Sequence, residues 1–246
     1  MPGPNRADRR REGRGAGAPP PRRDPMVAIY IGVGVALVVI VLIFLSMNWW
    51  QKHQIEQAYA TPTPGPNASE KPIQLADGKT LGAKKWTAKY PDTAQGGHGQ
   101  TIDGVECGAQ EYTAMHVHTH LSIFDNGKQI AIPTFIGFAV QPNAPGGGCL
   151  YWIHTHDSSG IIHVEAPQLR PPQGGPYTLG MLFDIWGQPL QADDVAGLTG
   201  EVTAYVNGSK YDGDLKAIPL GSHQSIVLDI GSPVVAPPNY NFPPND

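Results

Sequence analysis

Cysteine is nearly missing from this 246-residue chain, which holds only Cys107 and Cys149. That leaves room for one disulfide or one pair of thiolate metal ligands, and nothing larger. Common catalytic signatures are missing too: there is no HExxH zinc helix and no GxSxG nucleophile turn. No tandem repeat stands out. Charge is absent from the whole of Met26–Met47. The chain carries a net charge of −4, and the N-terminal tail is basic, so the excess acid lies beyond it. An acidic domain argues against nucleic acid or anionic lipid as a partner.

The uncharged run MVAIYIGVGVALVVIVLIFLSM is long enough to cross a ~30 Å hydrocarbon core at ~1.5 Å per residue. Before it stand seven arginines between Arg6 and Arg23, against Asp8, Glu12 and Asp24. The positive-inside rule places that end in the cytoplasm and the rest of the chain outside. Trp49 and Trp50 fall where an interfacial aromatic belt belongs. A cleaved signal peptide would need an apolar core of only ~7–15 residues. Ala58-Tyr59-Ala60, which has a small-x-small pattern, lies well past the run. The reading is therefore a single-pass, uncleaved anchor in the cell membrane. Gly32 and Ala36 form a small-xxx-small pair, more simply read as small residues without a partner.

Composition divides the chain further. Residues 1–25 are expected to be a disordered basic cytoplasmic tail. The transmembrane helix covers 26–48, and 49–72 form a Pro-rich stalk that should extend. Residues 73–232 form the β-rich domain, and 233–246 a Pro-rich, irregular tail from which Tyr240 and Phe242 can pack back. Asn126-Gly127 and Asn207-Gly208 each sit between apolar runs and predict hairpins with type I′ turns. The first would place Leu121 opposite Ile132 and Ile123 opposite Ile130. Leu179, Leu182, Phe183 and Trp186 follow helical spacing, with Thr178 placed to cap the start and Gly187 the end. The fold class expected is mainly β: a compact antiparallel sandwich or barrel-like ectodomain with one short helix.

Histidine is what the chain has in concentrated form. Six of its nine histidines lie in three short runs: His116, His118 and His120; His154 and His156; and His163. On a strand, alternate side chains share a face, so each H-x-H run presents imidazoles to one side. Clustered neutral imidazoles suit Zn or Cu, and the six are the candidate metal ligands. A four-residue loop at Asp157–Gly160 would pair His154 with His163, His156 with Ile161, and Trp152 with Glu165. Asp157 and Glu165 are candidates to take the other N–H of a ligating imidazole. The competing readings are a hydrogen-bonded imidazole cluster or a proton-responsive patch. His98 and His223 are read as structural and His53 as solvated. A Cys107–Cys149 disulfide would bring the first two histidine runs together, with thiolate metal ligation as its alternative.

Five stretches resemble a family of bacterial and archaeal extracytoplasmic proteins of unassigned function. They are Asp103–Cys107, His116–Leu121, Cys149–Asp157, Gly160–Glu165 and Leu179–Gly187. The resemblance implies a secreted or anchored domain with this histidine set, and brings no activity. Three functional classes follow. The first is an extracytoplasmic Zn or Cu binding domain. The second is a zinc hydrolase or lyase, with His154, His156 and His163 as ligands and Glu165 or Asp157 as base. The third is an accessory domain of a membrane complex, whose protein partner the sequence does not name. Met115 beside His116 points faintly toward copper.

Overall fold

The computed structural model describes residues 25–58, 63–86, 96–140 and 148–244. The expected disordered tail, apart from Pro25, lies outside these residues, as does Tyr59 of the small-x-small pattern. The chain divides into two units at Gln51/Lys52.

Helix α1 runs Pro25–Ala58. Pro25 stands at its first position, where a missing N–H costs no hydrogen bond. Over Ile29–Trp50, 22 residues, it is long and apolar enough to cross a membrane. It continues through residues 51–58, placed in the stalk by the sequence reading, because Gln, Lys, Glu and Ala there favour helix and no Pro or Gly intervenes. Farther on, the Pro-rich segment lies on the β domain: Asn67 N–H donates to Gly208 O at 3.1 Å and Ser69 N–H to Pro237 O at 2.9 Å.

The second unit is mostly β and mostly antiparallel. Its strands begin with β1 (Ile73–Gln74), β2 (Cys107–Gly108), β3 (Met115–Asp125) and β4 (Lys128–Ile130). Next come β5 (Phe138–Val140), β6 (Gly148–Tyr151), β7 (Ile153–His154) and β8 (Ile161–Ala166). Helix α2 (Leu179–Trp186) precedes β9 (Asp194–Val195), β10 (Leu198–Thr199), β11 (Val202–Val206), β12 (Ser209–Tyr211), β13 (Gln224–Ile230) and β14 (Tyr240–Asn241). The main sheet is ordered β12-β11-β13-β3-β8-β7, with β4 also on β3. Strand β3, 11 residues long, is its spine. One edge pairs parallel with β13 over Thr119–Asp125. The other is shared by two antiparallel partners, β8 along Met115–His120 and β4 along Ile123–Asp125.

Both Asn-Gly turns form, with Asn126 and Asn207 each at φ 50°. Ile123 pairs with Ile130 as expected, but β4 stops there and Leu121 does not meet Ile132. The Leu121 N–H donates instead to Gly160 O at 2.8 Å, because β8 takes over that edge. In α2, Gly187 closes the helix in the left-handed region, while the Thr178 side chain makes no capping bond.

Alternation sorts the sheet into two faces. Val117, Leu121, Ile123, Ile153, Ile162, Val164, Ile226 and Leu228 point into the core, where Leu179, Leu182, Phe183 and Trp186 of α2 also lie. A register slip of one residue would turn these away from the core and the imidazoles into it, so the apolar face locks the histidines onto the other. The expected irregular tail instead contributes β14, parallel to β1. Tyr240 packs there with Leu75 and Ile161, as does Phe242.

Candidate metal centre

Strand pairing sets three imidazoles in one row. His154 of β7 pairs with His163 of β8, and His163 pairs with His118 of β3. The rings of His154 and His163 stack at 5.3 Å, and His163 meets His118 edge-on at 4.4 Å. The approach of the first histidine run to the later ones is thus made directly by the β3–β8 ladder. The disulfide between Cys107 and Cys149 is formed, with Cα atoms 5.4 Å apart, and links β2 to β6.

His156 arrives differently from the expected ladder. It lies in a bend beyond β7, and no His156–Ile161 pair forms. Thr155 is drawn away by the 133–136 segment: its N–H donates to Ile136 O at 3.0 Å and its hydroxyl to Pro133 O at 2.9 Å. The expected partner Ile161 pairs with His120 instead. The His156 ring still meets His163 at 4.4 Å, and its Nε2 lies 3.2 Å from His154 Nε2.

Glu165 occupies the middle of the cluster. It pairs with His116 across the ladder, and the Glu165 N–H donates to Trp152 O at 2.7 Å, matching the expected pairing. Its Oε1 lies 3.2 Å from His163 Nδ1, 3.4 Å from His116 Nε2 and 4.0 Å from His118 Nε2. Its Oε2 lies 3.9 Å from His154 Nε2 and makes no hydrogen bond among the described residues. The side chain is only 6% exposed. A buried carboxylate is costly unless a cation or donors meet it. Glu165, expected to act behind an imidazole, also offers an oxygen of its own among the donors.

Two sets of donors result, each with its atoms within 4.8 Å of one another: His154, His156, His163 and Glu165; and His116, His118 and Glu165. At metal–donor distances of ~2.0–2.1 Å, neighbouring donors of a tetrahedral ion stand ~3.3–3.4 Å apart. The contacts of 3.2 and 3.4 Å match that spacing, while those from Glu165 to His154 and His118, at 3.9 and 4.0 Å, are longer and would close on binding.

Three of the imidazoles, those of His118, His154 and His156, are pushed toward the neutral, metal-competent form. Burial, then the neighbouring His163 and His116, push His118 down to about 3. Burial, then His163 and His156, holds His154 well below the usual imidazole range. His156 is lowered as well, by burial first, with Glu111 and Glu165 acting against it. His154 Nδ1 lies 2.9 Å from Tyr151 O. The ring N–H donates there, which leaves Nε2 bare toward the cluster.

Two sequence candidates fall outside both sets. His120 is fully buried, with Nε2 2.8 Å from Ser159 O and its ring 3.8 Å from that of Tyr240. It shares the face of His116 and His118, but the tail covers that end of it. Asp157 gives its oxygens to the backbone, accepting from Gly78 N–H at 2.6 Å and Ser159 N–H at 2.8 Å. It shapes the loop rather than orienting an imidazole. The His223 ring stacks on Phe242 at 4.8 Å, and the His223 backbone N–H donates to His118 O at 2.7 Å.

Sequence reasoning missed Glu111, whose Oε1 is 3.5 Å from His156 Nε2, and Phe138, whose ring meets His154 and His156 edge-on at 5.8 and 5.7 Å. Neither stands at a spacing that marks it; both arrive by tertiary contact. Comparison of the chain with protein families, curated proteins and solved structures finds no match.

Proposed function

We propose that this chain is a membrane-anchored, extracytoplasmic metal-binding protein. His154, His156, His163 and Glu165 hold a Zn or Cu ion. The observation that carries this reading is Glu165: a buried carboxylate with one oxygen without a hydrogen bond among the described residues, ringed by imidazoles of which His118 and His154 are kept neutral by burial. Three nitrogens and one carboxylate oxygen suit tetrahedral Zn, and imidazole serves Cu equally well. The Arg-rich flank favours a cytoplasmic N-terminus. The disulfide favours an oxidising compartment for the domain.

The hydrolase or lyase reading receives less support. It needs a base beside an ion held by three histidines, and its two candidates are otherwise engaged, Glu165 among the ligands and Asp157 on the backbone.

The test is elemental analysis of the purified full-length chain in detergent after Zn or Cu loading and dialysis. Stoichiometric metal should remain bound to the parent. It should be lost from the His154→Ala/His163→Ala variant with the circular dichroism spectrum largely retained. Equal metal in parent and variant, or none in the parent, overturns the reading.

A further inference from the structure

We infer that Glu165 bridges two metal ions, the second held by His116 and His118; this rests on the metal-binding reading above. Six residues offer donors, more than the four a tetrahedral ion uses. They form two sets, and Glu165 is the member common to both. A carboxylate has two oxygens and can give one to each ion. Oε1 faces His116 and His118 at 3.4 and 4.0 Å, while Oε2, without a hydrogen bond, lies 3.9 Å from His154 Nε2. His163 Nδ1, 3.2 Å from Oε1, stands at the seam between the sets.

Strand architecture supports the same spacing. His116 and His118 belong to β3, and His163 and Glu165 to β8, its hydrogen-bonded neighbour. Adjacent strands lie ~4.7–4.9 Å apart. Two ions that share the Glu165 carboxylate between these strands then stand within about one strand spacing of each other, close enough to couple. The second position is open to solvent through His116, whose side chain is 43% exposed, as the first is through His156 at 39%. A second ion can therefore enter from solvent after the first is seated.

The experiment counts ions and tests their coupling. The full-length chain in detergent is loaded with Cu(II), dialysed, and examined by elemental analysis and electron paramagnetic resonance. The parent should retain two ions per chain, with the half-field line of a spin-coupled pair. His116→Ala/His118→Ala should retain one ion and lose that line. His116→Ala alone, at an exposed position, should weaken the second ion at least tenfold without disturbing the fold. One ion per chain in the parent overturns the pair and leaves the metal-binding reading standing. Two uncoupled ions, or two ions undiminished in the double variant, also overturn it. No bound ion overturns both readings.

Discussion

Glu165 and Asp229 are both buried acids on the histidine side of the main sheet, and their surroundings differ. Glu165 is ringed by imidazoles at 3.2–4.0 Å. Asp229, on β13, makes no well-formed hydrogen bond through either oxygen. Burial pushes its carboxyl up to about 6, with only the backbone N–H of Val235 acting the other way. In the unfolded chain an aspartate titrates near ~3.9. Between those values the folded state binds more protons than the unfolded one, so this residue's contribution to stability falls as pH rises from about 4 to about 6. Asp229→Asn should remove that loss. Allowing for partial solvation, the variant should be roughly 1–2 kcal/mol more stable than the parent at pH 7, and the gap should close toward pH 4. Thermal denaturation of both proteins across that range measures it; a gap that stays constant or widens toward acid would refute the assignment.

At the scale of the element, the decisive piece is the loop between β7 and β8. The expected His154–His163 pair is present, because strand parity is a local property of the chain; the connection expected at 157–160 runs longer, over residues 155–160. The ladder beyond that pair is absent, since Thr155 bonds to another segment. Gly160 shows how tightly this loop is packed. It sits at φ 91°, and a Cβ there would stand 2.4 Å from Leu121 O and 3.0 Å from His120 Nε2. Backbone strain of this kind costs about 1–3 kcal/mol before any clash. Gly160→Ala should therefore destabilise the domain by at least that much and displace His156, lowering metal affinity. Denaturation with chelator present isolates the first effect, and metal titration the second. A variant as stable as the parent would show that the loop is not so confined.

For the whole molecule, the proposed orientation rests on the Arg-rich flank of the candidate membrane span and on the disulfide. A helix with every backbone group bonded internally is one of the few structures a bilayer accepts, and Ile29–Trp50 has the required length. Protease added to intact cells should remove the β domain and leave the Arg-rich tail protected. Immunoblotting for each end checks this; a digested tail with an intact domain would reverse the orientation.

The elements lay open in the sequence because their causes are local. An uncharged run makes a span, Asn-Gly makes a turn, and H-x-H on a strand makes a histidine face. The position of Glu165 was legible as strand parity, two residues from His163, but its place between two groups of imidazoles was not. That followed from β8 lying between β7 and β3, which set imidazoles on both sides of one carboxylate. His120 makes the complementary case. Its parity matches His116 and His118, yet Tyr240, more than a hundred residues later, covers it and the Ser159 carbonyl takes its ring nitrogen. Sequence alone determined which side of each strand the histidines occupy, since alternation needs only the backbone. Which of them meet, and around what, was decided by strand order and by the returning tail, since those contacts join residues distant along the chain.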